Sequence, residues 1–294
     1  LETLREIPVE DLSSLIRFLQ ARDTKRKLQC SAPLKFGHVV VDELQDYSLM
    51  GLATLIQATS QTKNLTLVGD AAQALSAEFS FVGWERLKEV WKIEEGEDAS
   101  FITLEVSHRC SLQIMQFAAS VTGQPLPRSG RPGRVPIWFH CAHEQSGVES
   151  ALRWISTATE RYPSALSAVL CRSLDEATLV LSLLKPTFGP LVRLGRRQDF
   201  SFDAGIVVAA IDDVKGIEFA NVLLWNPSHS GFDPKEPTSK NRLYVAATRA
   251  QDNLCIVTWG RYSALLPNIH SRIVRGYDFR DQFSDDESSG ARKK

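Results

Sequence analysis

Two carboxylates directly follow an all-β-branched run in Val39-Val40-Val41-Asp42-Glu43-Leu44-Gln45-Asp46. At the C-terminal end of a buried strand, such a pair stands where open α/β sheets bind ligands. There one carboxylate can hold a Mg²⁺ ion bridging nucleotide phosphates, and its neighbour can position an attacking water. The plainer alternative is a solvated strand-to-helix turn whose acids cap a helix; the added Gln45-Asp46 makes the pattern more specific. A second strand-to-polar switch occurs in Leu65-Thr66-Leu67-Val68-Gly69-Asp70-Ala71-Ala72-Gln73. Gln73 is of the type that reaches a γ-phosphate or its bound water, and a simple Gly-Asp turn accounts for the segment alone equally well.

The elements that would position these groups follow from periodicity. Apolar spacing predicts helices over 9–20, 48–60, 84–92, 111–121, 147–161, 174–185 and 239–250. Short β-branched or apolar runs predict strands at Val39–Val41, Leu65–Val68, Phe101–Leu104, Val135–Phe139, Ser167–Cys171, Ile206–Ala210, Val222–Trp225 and Leu254–Thr258. Strand-helix alternation of this kind is the pattern of an α/β protein with mostly parallel sheets. Residues 123–136, rich in Pro, Gly and Arg, read as a loop or linker. Ser284–Lys294 is polar and charged and reads as a disordered tail.

In order along the chain, these segments resemble the motifs of UvrD-like superfamily 1 helicases. Asp42-Glu43-Leu44-Gln45-Asp46 and Val68-Gly69-Asp70-Ala71-Ala72-Gln73 are similar to that family's second and third motifs. Leu104-Glu105-Val106-Ser107-His108-Arg109-Cys110-Ser111 resembles its Asn-Tyr-Arg-Ser segment, with His108 in place of the aromatic, and implies that Arg109 contacts the γ-phosphate. Ala210-Ile211-Asp212-Asp213-Val214-Lys215-Gly216-Ile217-Glu218-Phe219 resembles Thr-Ile-His-x-x-Lys-Gly-Leu-Glu-Phe. By that resemblance Glu218 contacts the nucleotide sugar or couples the site to nucleic acid. Asp212 stands where relatives carry a DNA-touching histidine, and an acid facing a phosphate is unfavourable. Arg242-Leu243-Tyr244-Val245-Ala246-Ala247-Thr248-Arg249-Ala250 resembles the last motif, with Arg249 as the arginine finger. Taken alone, Arg249 reads as a helix-surface salt-bridge partner; the order of five motifs is what changes that reading.

The resemblance implies RecA-like parallel sheets of the P-loop NTPase fold, a truncated first helicase domain followed by a complete second one. The expected division is 1–100, 101–283 and the tail 284–294. It further implies ATP and Mg²⁺ as cofactors, bound in the cleft between the two units, and single-stranded DNA or a DNA duplex junction as partner. Asp42 would hold the metal and Glu43 orient the water, while Gln73, Arg109 and Arg249 sense the γ-phosphate. The phosphate-binding loop Gly-x-x-x-x-Gly-Lys-Ser/Thr occurs nowhere in the 294 residues. That loop supplies the backbone cradle and lysine for the phosphates. The chain therefore reads as the C-terminal part of a longer protein, ATPase-inactive by itself. A non-catalytic module gripping RNA polymerase or another protein is the competing reading, and a nuclease-linked motor a weaker third. The short interval from Arg109 to Val207 leaves little room for a large insertion, which favours the compact HelD-like branch, as do Phe36-Gly37-His38 and Trp84.

Composition sets the remaining bounds. With 43% hydrophobic and 23% charged residues the chain is an ordinary globular protein, and a net charge of −1 confines any nucleic-acid surface to a local patch. Five scattered cysteines without a C-x-x-C pair fit a reducing, cytoplasmic setting without a disulfide framework. No apolar run is long enough to span a membrane. Arg128, Arg131 and Arg134, like Arg193, Arg196 and Arg197, could touch phosphates and read better as solvated charge. His140, Cys141 and His143 lack a metal-site spacing pattern and read as ordinary strand-end residues. The tryptophans outside Trp84 read as core rather than stacking platforms, with Trp225 the one to check.

Overall fold

The computed structural model describes residues 36–56, 59, 64–75, 83–91, 99–104 and 106–280. The helix expected over 9–20 and the tail 284–294 lie outside the described residues. Two compact units divide the chain, Leu1–Thr103 and Leu104–Lys294.

In the first unit, β1 (Val39–Val41) pairs in parallel with β2 (Leu65–Leu67), Val39 opposite Leu65 and Val41 opposite Leu67. Parallel neighbours need a crossover, and α1 (Leu49–Ile56) lies within it; α2 (Trp84–Trp91) follows β2. Val41, Leu44, Leu52 and Leu87 form the core, with Leu49, Leu55 and Trp84 packed against it. Val40 is exposed, so the Val-Val-Val run is buried on one face rather than on both. The strand expected at Phe101–Leu104 is absent; that segment has no regular structure, and Ile102 and Leu104 project into solvent. Its apolar character mimics a strand, but among the described residues it pairs with none.

The second unit opens with α3 (Leu112–Thr122) and then builds a seven-stranded sheet. Its members are β3 (Ile137–Cys141), β4 (Leu166–Cys171), β5 (Val192–Gly195), β6 (Gly205–Ala210), β7 (Phe219–Trp225), β8 (Ala250–Trp259) and β9 (Arg275–Asp278). The order is β5-β6-β4-β7-β8-β3-β9, and every pairing is parallel. Helices α4 (Glu144–Arg161), α5 (Leu174–Phe188) and α6 (Ser239–Thr248) make crossovers. The central strands β4, β6 and β7 are almost wholly buried, which is why they read as unbroken apolar runs. β5 and β9 sit at the two edges, are four residues long, and carry Arg193, Arg275 and Asp278; short charged edges leave little apolar signal. This is the RecA-like parallel α/β architecture that the motif order implies. Trp225 is buried and meets Trp259 edge-on, with ring centroids 5.5 Å apart, so it belongs to the core.

Candidate functional site

In the first unit the two motifs are joined by a glutamine. Asp42 and Glu43 leave β1 as exposed carboxylates, and the Glu43 N–H donates to Asp42 Oδ1 at 2.8 Å. Glu43 adopts the left-handed conformation (φ 51°, ψ 45°), a strained choice for a residue with a side chain and one found often at functional sites. The backbone ladder continues past the strands through Leu44 N–H to Val68 O (2.9 Å) and Val68 N–H to Val41 O (2.8 Å). Gln45 is buried; its Nε2 donates to Glu43 Oε2 while its Oε1 accepts from the Asp70 N–H at 2.9 Å. Asp70 in turn caps the short turn Ala71–Gln73, accepting from Ala72 N at 2.9 Å and from Gln73 Nε2 at 3.0 Å. Gly69 is required by close approach: a Cβ there would lie 2.8 Å from Leu44 Cβ and 3.0 Å from Leu44 N. Asp42, Glu43 and Gln73 are thus gathered at the carboxyl ends of two paired strands.

In the second unit the site is built at the opposite strand ends. Glu218 immediately precedes β7 and Arg249 immediately precedes β8, with Phe219 in register with Ala250. Arg109, whose side chain is 75% exposed, pairs through Nε with Glu218 Oε1 at 3.1 Å. The other carboxylate oxygen of Glu218 accepts from Gln251 Nε2 at 3.0 Å. Arg131 fastens the cluster from outside: it pairs with Asp252 Oδ1 at 2.7 Å and donates to the carbonyls of Arg109 (2.9 Å) and Gln251. Arg249 is 4% exposed; its Nε donates to Val245 O at 3.2 Å and its NH1 to Ile217 O at 3.4 Å. The Arg249 carbonyl accepts from Phe219 N at 2.8 Å, tying the last motif to the residue after Glu218. Burial pushes the neighbouring Cys110 thiol up to about 11, against the pull of Arg249, and its Sγ donates to Thr248 O. That thiol is a packing group, not a nucleophile.

Residues 205–257 match the model of the UvrD-like helicase C-terminal domain, and residues 3–78 match that of an AAA domain. The resemblance to the UvrD-like helicase C-terminal domain thus covers 53 of the 294 residues, those from 205 to 257. Among solved structures, the C-terminal domain of a possible DNA helicase from Lactobacillus plantarum WCFS1 is 21% identical, with a TM-score of 0.47, covering 60% of this chain and 99% of that one. The PRRSV helicase is 15% identical with a TM-score of 0.39; 75% of this chain is covered, spanning only 34% of that chain. No curated protein matches.

The UvrD-like match contains Glu218 and Arg249, the AAA match contains Asp42, Glu43 and Gln73, and Arg109 falls outside both. Within the UvrD-like match Asp212 does not stand free toward a phosphate: its Oδ2 pairs with Arg242 NH2 at 3.1 Å. Arg131 is a structural clamp rather than solvated linker charge, and Gln251 completes the coordination of Glu218. Sequence reasoning missed both roles. Arg131 and Asp252 are too far apart in the chain for charge pairing to show, whereas Gln251, two residues beyond Arg249, could have been noticed. His140 bonds Thr258 Oγ1 (2.9 Å) and His143 caps α4, accepting from Ser146 N at 3.3 Å. Among the described residues no group of three or more His, Cys, Asp or Glu is placed to hold a metal by itself.

Proposed function

We propose that the chain supplies the hydrolytic and coupling residues of an ATP-driven superfamily 1 DNA helicase or translocase acting on single-stranded DNA. The observation that carries this reading is the convergence of Arg109, Glu218 and Arg249, brought from three distant segments onto neighbouring strand starts. The residues fit Mg²⁺-ATP chemically. Asp42 and Glu43 are exposed hard-oxygen donors, and Arg109 is an exposed guanidinium suited to a phosphate. Mg²⁺-ATP, when bound, supplies the transferable phosphoryl group and the cation that neutralises it.

Asp42 would hold the metal, and Glu43 would accept a hydrogen bond from the attacking water and orient it. Gln73 in the first unit and Arg109 in the second are each of a type that would bind a phosphate oxygen. Arg249 exchanges the neutral carbonyl of Ile217 for an anionic oxygen, a charge-assisted bond roughly twice as strong. Glu218, held by Arg109 and Gln251, binds the sugar or passes the change to the nucleic-acid side. No Gly-x-x-x-x-Gly-Lys-Ser/Thr cradle occurs in these 294 residues, and on this reading the chain alone does not turn ATP over.

The test is Glu43→Gln in the protein that joins these residues to a Gly-Lys-Ser/Thr loop. DNA-stimulated ATP turnover falls roughly 10²–10⁴-fold, while nucleotide binding persists; unchanged turnover overturns the assignment. Glu43-dependent turnover by the 294-residue chain alone would overturn its inactivity. The altered position Asp212 also allows a second reading, a helicase-fold module that binds RNA polymerase or another protein. ATP turnover insensitive to Glu43, Arg109 and Arg249 alike would support that module over the motor.

A further inference from the structure

The connection from β5 to β6, residues 196–204, runs without a helix and holds up an exposed phenylalanine. Phe202 is 72% exposed, far more than its neighbour Phe200 or the motif residue Phe219. The loop beneath it is built to hold that position. Arg193 donates to the carbonyls of Ser201 (3.1 Å), Asp203 and Ala204 (3.3 Å), so one guanidinium gathers three carbonyls of a four-residue stretch. Ser201 Oγ donates to Asp203 Oδ2 at 2.7 Å, which occupies that acid within the loop. The return into β6 uses Gly205 at φ +129°, where a Cβ would lie 2.7 Å from Leu191 O. A single exposed aromatic needs no explanation by itself; the bracing beneath this one and the basic residues beside it make it a candidate contact.

Three features say what the ligand is. The platform is a π-face rather than an aliphatic patch, and every nucleic-acid base can stack on it. Arg196 and Arg197 lie in the same loop, exposed, with no ion pair for either guanidinium among the described residues. The loop also leads straight to the helicase motif. Phe202 meets Phe200 at 5.1 Å between ring centroids, and Phe200 meets Phe219 at 6.1 Å. Phe219 directly follows Glu218. The Arg197 N–H donates to Asp213 Oδ1 at 3.4 Å, joining the loop to the other end of the same motif.

We infer that residues 196–204 form a single-stranded nucleic-acid contact, with Phe202 stacking on a base and Arg196 and Arg197 on the flanking phosphates. The aromatic series Phe202–Phe200–Phe219 connects that contact to Glu218. This deepens the motor reading and rests on its nucleic-acid part. It also replaces the lost contact at Asp212, whose carboxylate is paired to Arg242.

The experiment titrates the 294-residue chain against fluorescein-labelled dT12, rU12 and a 12-base-pair duplex, with anisotropy as readout. Phe202→Ala weakens single-strand binding roughly 5- to 100-fold, the range of one lost base stack, and Phe202→Trp restores it. Arg196→Ala with Arg197→Ala lowers the salt dependence of log Kd by about 1.4, at about 0.7 per phosphate contact on a single strand. Leu179→Ala, an exposed apolar residue on α5, leaves binding unchanged. The dT12 and rU12 arms tell DNA from RNA, and equal loss on the duplex means the contact is to phosphates and not to bases, which overturns the stacking assignment. Wild-type affinity in Phe202→Ala, or no binding by the wild-type chain, overturns the inference. Failure of the Glu43→Gln test with a Phe202 effect intact would instead sink the motor reading and leave this contact standing.

Discussion

At the scale of single residues, the candidate site depends on groups that carry no chemistry of their own. Gln45 satisfies both ends of its amide between Glu43 and Asp70 and so sets the distance between two motifs. Gly69 allows that approach because Leu44 leaves no room for a Cβ beside it. Gly69→Ala therefore forces the β1 and β2 ends apart and costs about 1–3 kcal/mol, the usual range for overpacking. Gly37→Ala, with nothing within 4 Å of the added carbon, changes stability by less than about 0.5 kcal/mol. Chemical denaturation of both variants checks this, and equal midpoints would contradict the steric account. The carboxylates and arginines were legible from the sequence because their types and order recur as motifs. Their supporting partners were not, because a glutamine or an arginine contributes nothing distinctive until its contacts are known.

Among the elements, the edge strand β9 shows how the sheet is closed. It pairs with β3 and is held by the Phe279 N–H to His140 O bond (2.8 Å) and by stacking of Tyr277 on Phe139. His140 lies buried on the same strand pair, with Nδ1 bonded to Thr258 and Nε2 without a hydrogen-bond partner among the described residues. Burial first, and the Arg280 guanidinium second, hold its pKa below the ordinary 6.5, so folding disfavours the protonated ring. The unfolded chain takes up a proton near that ordinary value. Stability is therefore full above about pH 6.5 and falls as the pH drops below it, until the folded ring titrates as well. Asp278, held down to about 2 by its hydrogen bond from Arg280, adds a second loss between about pH 3.8 and 2. Urea midpoints across pH 5 to 7 should slope downward with acid in the wild type, and His140→Gln should flatten that slope. A parallel slope in both proteins would refute the role of His140. Neither β9 nor β5 was visible in the sequence, since four-residue edges bearing charge look like loops.

For the whole molecule, two separate cores imply two units of stability. Val41, Leu44, Leu52 and Leu87 serve the first, while a larger cluster including Val169, Val208, Leu223 and Cys255 serves the second. Residues 101–104 and 106–107 carry neither helix nor strand, and Ile102 and Leu104 are solvated. Limited chymotrypsin digestion should cut first between Phe101 and Val106 and release a second unit that keeps its tryptophan near-UV signal. A first cut inside β6, β7 or β8 would contradict this.

What the sequence determined by itself was the resemblance to UvrD-like helicases and the parallel α/β class. Both reside in local order: apolar runs of strand length, helical periodicity between them, and chemically distinctive residues at their ends. Only the tertiary structure decided that Arg109 rests on Glu218, that Arg249 is buried against Ile217, that Asp212 is neutralised by Arg242, and that Phe202 stands out on a loop leading to Phe219. Each of these joins residues distant in the chain, and such pairs are set by how strands order themselves in a sheet rather than by anything either residue carries alone.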